Sequence, residues 1–464
     1  MIVPKTRAMS TFLHSKHSGR IRSVEDLKLY FQNYSKPASQ KFVGIECELL
    51  PVRPNTGEAL PYRGEDGVEA VLNFLAYEFG YEKVIENGHT IALRKGSSMI
   101  GLEPGSQVEF SSEPLQNIHQ VKERLDQFFF ELKTAARFLG GMTFLAYGIQ
   151  PFSDKRSIEW VPKERYTIMS QYLGKRGQLA HEMMKRTASI QVSFDYTSEG
   201  DAFEKMCLVM RLTPIAYALF ANSSFSKGRP SGYVSERLRI WQETDPERSG
   251  LLVGALCPHA SFERYLDHLL DLRMMFLVRE GKWVRLPRLT FRKFVESGFQ
   301  NFHPTLEDFE LHLSTLFTEA RFKHYLEVRS ADGQRPHLIP AVAAFWKGIL
   351  YDDSARKNAA ALIKGFSEKD ILKLYQDVSK KGLKARARGA SILELAKELV
   401  RLSEKGLESQ HEFNEREENE AIYLIPLKEE VLKTGETQGE RLVRLWHTSF
   451  RKDPKNLIDY LKVV

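Results

Sequence analysis

Residues 101–110 read GLEPGSQVEF. Leu102, Val108 and Phe110 alternate with polar neighbours as a strand does, yet Glu103, Gln107 and Glu109 sit around a Pro104–Gly105 break. Taken alone, the stretch is a strand with one wet face. Other segments repeat its pattern. GIECELL (44–50) carries Glu46 and Glu48; SIQVSFDY (189–196) carries Gln191, Ser193 and Asp195 between Ile190, Val192 and Phe194; YLEVRS (325–330) carries Glu327 and Arg329 around Val328. Side chains two apart in a strand leave on one face, and the apolar residues between them leave on the other.

A merely wetted face mixes Lys, Thr, Ser and Arg, whereas this one is biased to Glu and Gln and carries no Lys. Carboxylates crowded on one concave surface repel one another until some are forced to protonate. A divalent cation removes that penalty: Mg²⁺ takes hard oxygen ligands, keeps several waters and bridges to phosphates. The residues alone leave two readings open, a carboxylate-lined metal site and a solvated sheet face. The chain has no GxxxxGK[ST] and no GxGxxG, so a phosphate here would be held by metals and arginines. Arg186, Arg229, Arg237, Arg248 and Arg329 lie in or beside irregular stretches and are the candidates.

The bulk numbers limit the alternatives. With 464 residues the chain can bury a large core. Its formal charge of +7, from 67 basic and 60 acidic residues, is a mild excess that suits small anions and gives no case for nucleic acid. Cys47, Cys207 and Cys257 make no disulfide framework, no CxxC or HExxH is present, and Cys257-Pro258-His259 is too little for zinc. No apolar run reaches membrane-span length; LTPIAYALFA (212–221) is the nearest and contains Pro214. Residues 1–22 hold Lys5, Arg7, Lys16, Arg20 and Arg22 with no acid, the composition of a transit peptide, of a disordered leader, or of a segment preceding a start at Met9.

Helical periodicity is expected over 24–34, 66–80, 115–139, 165–173, 202–221 and 305–317, and throughout from 353 onward. Strands are expected at 41–50, 142–150, 187–196 and 324–333, with a hairpin turning near Lys95-Gly96-Ser97. Ser391 and Glu394 read as a capping box. Residues 222–250 read as a long connection without periodicity, 380–389 as a basic connector and 412–420 as an exposed acidic loop.

Taken together, several segments resemble a known family: GIECE, ENGHTIALRK, GLEPGSQVEFSSEPLQNIHQ, MMKRTASIQVSFDY, PIAYALFANSSFSKGRPSGY, RLRIWQETDPERSG and HLSTLFTEARFKHYLEVRSADG. They are similar to glutamate–cysteine ligases of the plant and proteobacterial type, in the carboxylate–amine ligase group. The resemblance runs from about residue 40 to the end and includes the helices near 388–408 and 427–446. It implies an α+β, glutamine-synthetase-like fold: an antiparallel sheet forming a concave, carboxylate-lined active site, flanked by helices. It also implies a catalytic domain over 23–352 after a basic leader at 1–22, and a helical C-terminal region over 353–464 packed on that domain.

The activity implied is ATP-dependent ligation of glutamate to cysteine through a γ-glutamyl phosphate, the first step of glutathione biosynthesis, with Mg²⁺ as cofactor. Glu46, Glu48, Glu103, Glu109 and Glu327 match the family's metal-binding carboxylates, and Gln191 lies where more distant ligases carry a histidine ligand. Arg329 and Glu327 are the catalytic candidates; Arg186 and Arg248 would meet glutamate's carboxylates or nucleotide, and Asn222, Ser223 and Ser224 would line the substrate end. The 222–250 stretch would cover the acyl phosphate against water. Partners are ATP, glutamate and cysteine, with no nucleic acid or membrane, in a cytoplasmic monomer or homodimer; organelle import through the basic N-terminus stays open. The family carries histidine between its first two glutamates where this chain has Cys47. Because Cys47 points to the opposite face from Glu46 and Glu48, the metal site is expected to tolerate the change. The cysteines do not match the redox-sensitive disulfides of the plant enzymes. Two alternatives remain, a relative using another amine acceptor and a non-catalytic nucleotide-binding protein.

Overall fold

The computed structural model describes residues 19–252, 254 and 259–463. The leader apart from residues 19–22, and the Cys257-Pro258 part of the supposed zinc motif, lie outside the described residues. At the centre is a nine-stranded antiparallel sheet. Its strands are β1 (Val43–Val52), β2 (Glu82–Glu86), β3 (His89–Lys95), β4 (Ser98–Leu102), β5 (Val108–Ser111), β6 (Thr143–Leu145), β7 (Ile190–Phe194), β8 (Ala320–Phe322) and β9 (Leu326–Val328). The spatial order is β8-β9-β7-β1-β5-β4-β3-β2, with β6 paired to the far end of β1. The hairpin turns at Gly96–Ser97, as its sequence predicts.

β1 holds the centre because both of its faces are usable. Ile45, Cys47 and Leu49 enter the hydrophobic core, while Glu46 and Glu48 leave on the other side. Helices Ile118–Leu139 and Ile339–Leu350 pack behind it, and every residue of the latter is buried. A helix apolar all round belongs in an interior. Helix Glu199–Leu219 runs through Pro214 without a break. Residues beyond 353 join the same continuous core: helix Ile392–Ser409 packs on Ile339–Leu350, and the chain end returns to β6 through Ala146 N–H to Leu461 O at 3.0 Å. No described helix is long and apolar enough to cross a membrane.

Three local expectations change. The Ser391 capping box does not form, because Ser391 pairs with Arg386 in a short antiparallel ladder. The 412–420 stretch is exposed except at its end, where buried Glu420 takes Lys347 Nζ at 2.6 Å and the N–H of Ile118 at 2.5 Å, tying the loop to two core helices. Residues 222–250 contain helix Glu236–Gln242; 222–225 and most of 234–241 are buried as a packed wall, while 226–233 are partly exposed.

His312 shows what burial costs in this core. Its Nε2 donates to Leu269 O at 2.8 Å, its ring stacks on Phe291, and burial pushes its pKa down to about 3. The unfolded chain therefore binds a proton that the native state refuses. Stability from this group is complete above an ordinary histidine pKa of about 6.5 and is lost as pH falls toward 3, at up to ~1.4 kcal/mol per pH unit. Denaturant titrations of His312→Gln against the parent should give a flatter decline of stability with acid across that window. An unchanged slope would show that His312 is not held neutral.

Candidate active site

The polar face of the sheet is set by register. Glu48 of β1 lies opposite Glu109 of β5, and Glu46 lies opposite Gln191 of β7. Glu109 in turn faces Gly101 on β4, where no side chain crowds the carboxylate. The Pro104–Gly105 break then swings the chain across to helix Ala180–Arg186. Gly105 comes so near Lys185 that a Cβ would stand 2.2 Å from its carbonyl oxygen, and Ser106 takes a φ of 69°. Gln107 is the latch: Nε2 donates to Thr187 O at 2.8 Å and Met184 O at 3.3 Å, while Oε1 accepts the Gly105 N–H at 2.8 Å. In GLEPGSQVEF the amide thus fastens the loop, and the two carboxylates face a cavity of about 670 Å³, within the range of small-ligand sites.

Glu46, Glu48, Glu103 and Glu109 line that cavity as an acid wall on β1, β5 and the loop after β4; beside it Arg321, Lys323 and Arg329, around β8 and β9, make a cation wall with Arg237, and Lys163 and Arg165 complete the lining. Glu327 stands behind the cations, fully buried. It meets Arg321 Nε and Lys323 Nζ at 2.5 Å each and Arg329 NH1 at 3.0 Å. Arg329 also donates to Gln191 Oε1, and Gln191 Nε2 donates to Glu48 Oε1 at 3.1 Å, so a continuous hydrogen-bonded chain joins the two walls.

The two walls differ in electrostatics. Burial, then Glu103, pushes Glu48 up to about 8 against the pull of Arg237 and Arg329. Burial followed by Glu46, Glu103 and Glu48 drives Glu109 well above the carboxylate range, and burial likewise raises Glu46. Glu327 is the reverse: burial pushes upward, but Arg321, Lys323 and Arg329 outweigh it and hold the carboxyl well below its usual range. The neighbouring cations do not offset the burial of the acid wall, and a hard cation would add counter-charge. Among the described residues no group of three or more His, Cys, Asp or Glu side chains is already arranged around a metal position. Mg²⁺ commonly uses one or two carboxylates and completes its shell with water and phosphate. The donor chemistry of the acid wall fits that ion.

On helix Glu236–Gln242, Arg237 and Trp241 lie one turn apart, and both line the cavity. Arg237 Nε and Trp241 Nε1 are buried with no hydrogen-bond partner among the described residues. Unpaired buried donors cost ~1–3 kcal/mol each, and an acceptor-rich ligand would satisfy them.

Of the residues picked from sequence, Glu46, Glu48, Glu103, Glu109, Gln191 and Arg329 converge on the cavity. Glu327 sits behind it with both oxygens paired. Arg186, Arg248, Asn222, Ser223 and Ser224 lie outside its lining, and most of their polar groups are paired internally, although Arg186 Nε and Arg248 Nε have no hydrogen-bond partner among the described residues. Arg186 grips Glu182 at 2.7 Å, Gln150 O at 2.8 Å and Ser226 Oγ at 2.9 Å. Arg248 holds Thr315 Oγ1 at 3.0 Å and Tyr172 OH at 3.3 Å, bracing the turn after Asp245. Asn222 Nδ2 donates to Gly333 O at 2.8 Å, Ser223 Oγ to Asp332 at 2.7 Å and Ser224 Oγ to Gly439 O at 2.8 Å. Sequence reading passed over Arg321 and Lys323, although they continue the two-residue alternation across the β8–β9 hairpin. It also passed over Trp241, because its helix was taken for loop. Lys163 and Arg165 carry no sequence signal.

The same architecture occurs in the crystal structure of the glutamate–cysteine ligase of Francisella tularensis in complex with AMP: TM-score 0.56 at 12% identity, over 90% of this chain and 88% of that one. A bifunctional glutathione synthetase from Pasteurella multocida aligns with TM-score 0.52 at 15% identity, over 96% of this chain and 54% of that one. Sheet and helices thus share the fold of these two structures. Residues 42–455 match glutamate-cysteine ligase family 2 (GCS2). Chloroplastic glutamate–cysteine ligases are similar in sequence: that of Brassica juncea is 37% identical over 75% of this chain and 68% of its own length. That of Medicago truncatula is 35% identical over 94% of this chain and 84% of its own length. The chain belongs to the glutamate–cysteine ligase family.

Two substitutions probe the faces of this sheet. Arg329→Lys keeps the charge but loses the planar guanidinium whose NH1 donates to both Gln191 and Glu327, so kcat/KM should fall ~100-fold in steady-state assays; a loss under threefold would remove Arg329 from the reaction. Cys47→Ser places a hydroxyl in the apolar layer, where burial also pushes the native thiol pKa up. It should cost ~1–3 kcal/mol in denaturant unfolding while leaving kcat largely intact. A dead but folded variant would contradict the face assignment.

Proposed function

We propose that the cavity ligates the γ-carboxylate of glutamate to the amine of cysteine at the expense of ATP, between an acid wall that holds Mg²⁺ and a cation wall that holds anionic groups. Carboxylate oxygen attacks the γ-phosphorus, ADP leaves, and the amine then displaces phosphate to give γ-glutamylcysteine. Family membership supports the reaction; the observation that carries the division of labour is that buried carboxylates with raised pKa values and arginines line one hollow side by side.

Glu46, Glu48, Glu103 and Glu109 are the residues that would hold Mg²⁺, which when bound neutralises phosphate charge. Glu327 acts from behind the lining, where it fixes Arg321, Lys323 and Arg329 in one orientation. Phosphoryl transfer asks little covalent chemistry of a protein and much positioning and charge neutralisation. Arg329 is tied to Gln191 and Glu327 and so is preorganised to meet the transferring group, while Arg237 and Trp241 present their free N–H donors to a carboxylate or phosphate. The buried wall built from parts of 222–250 limits water around the acyl phosphate.

Purified protein given ATP, Mg²⁺ and glutamate should release phosphate only when an amine is added, with cysteine preferred over 2-aminobutyrate, alanine and glycine. Preference for another amine would reassign the acceptor, and no release with any amine would refute the reaction. For the metal, Mg²⁺ with a non-hydrolysable ATP analogue should raise the thermal midpoint of the parent protein, and that shift should shrink in Glu109→Gln. An equal shift in both would take Glu109 out of the acid wall's metal role.

A further inference from the structure

The cation Arg237 is held from behind by groups that no step of the reaction uses. Its NH1 donates to Tyr217 OH at 3.0 Å, and Tyr217 OH donates to Glu319 Oε2 at 2.8 Å. The other oxygen of Glu319 accepts from Tyr375 OH. All four side chains are buried. Tyr375 lies on helix Glu368–Lys381, well inside the C-terminal helical region. The same helix grips both ends of the segment carrying Arg237. Ser379 O accepts the N–H groups of Val234 at 2.9 Å and Ser235 at 3.1 Å, and Gln242 Nε2 donates to Tyr375 O at 2.7 Å.

We propose that Tyr375 is a positioning residue for the reaction, acting through Glu319 and Tyr217 on the guanidinium of Arg237. An arginine side chain has many rotamers, and a site that leaves it free must order it each time substrate binds. Here the ordering is done beforehand. Glu319 is satisfied by two phenols, so Tyr217 is left with its oxygen turned to NH1. On the other flank Asp332 stands 3.9 Å from NH1 and is occupied by Ser223 Oγ at 2.7 Å and Ser235 Oγ at 3.0 Å. Nε is left without a partner at the cavity. Removing the Tyr375 hydroxyl gives Glu319 an unpaired oxygen that competes for Tyr217 and loosens Arg237, without altering any group that lines the cavity. The inference rests on the reading that Arg237 meets an anionic substrate group.

The test is a double-mutant cycle in the full-length protein, with Tyr375→Phe, Arg237→Lys and the pair, read as kcat/KM together with the thermal midpoint. Tyr375→Phe is expected to lower kcat/KM about tenfold in the parent and less than twofold in the Arg237→Lys background. A role in packing alone would cost the same factor in both backgrounds, and that result would overturn the relay. So would an unchanged kcat/KM in Tyr375→Phe beside an impaired Arg237→Lys. If Arg237→Lys retains full activity, the substrate contact of Arg237 is what fails, and the relay falls with it.

Discussion

Buried carboxylates and buried arginines set side by side on one face of the sheet govern the rest of this structure. Neither set is tolerable alone: stripped of water, like charges repel, and each ion pays a desolvation penalty. The cation wall settles its balance internally, since Glu327 sits among Arg321, Lys323 and Arg329 and ionises readily. The acid wall does not, and Glu48 and Glu109 carry the strain as raised pKa values.

The remaining architecture serves to hold the two walls in place. β1 places its acids by alternation and buries Ile45, Cys47 and Leu49 on the reverse, so one strand anchors both core and site. The Gly105 approach to Lys185 and the Gln107 latch bind the acidic loop to helix Ala180–Arg186. Arg186, Arg248 and Ser223, which the family resemblance places at the substrate, make hydrogen bonds that hold these supports together. Buried polar residues in a ligase of this size are as often framework as chemistry, and only their partners tell which.

The C-terminal helices belong to this framework. Helix Glu368–Lys381 supports the short helix of Arg237 and Trp241 from outside the sheet, and Glu420 joins the late chain to the core through Lys347. Membership of the glutamate–cysteine ligase family therefore extends in physical terms beyond the sheet that bears the acids, in agreement with a family match over residues 42–455.

What the sequence determined by itself is what depends on short-range order. Period-two alternation specified the strands and told which side chains share a face, and helical spacing specified most helices, because those patterns follow from backbone geometry within a few residues. The acid wall was legible for this reason, as was the burial of Cys47. Tertiary structure alone decided what depends on meetings between distant segments. Glu327 is buried among three cations, a meeting that the pairing of β8 with β9 arranges. Much of the 222–250 stretch becomes helix and wall because its neighbours bury it, and Arg237 gains its role from tyrosines 20 residues before it and 138 after it in the chain. Charge pairing and burial are properties of the assembled core, and no local pattern encodes which partner will arrive.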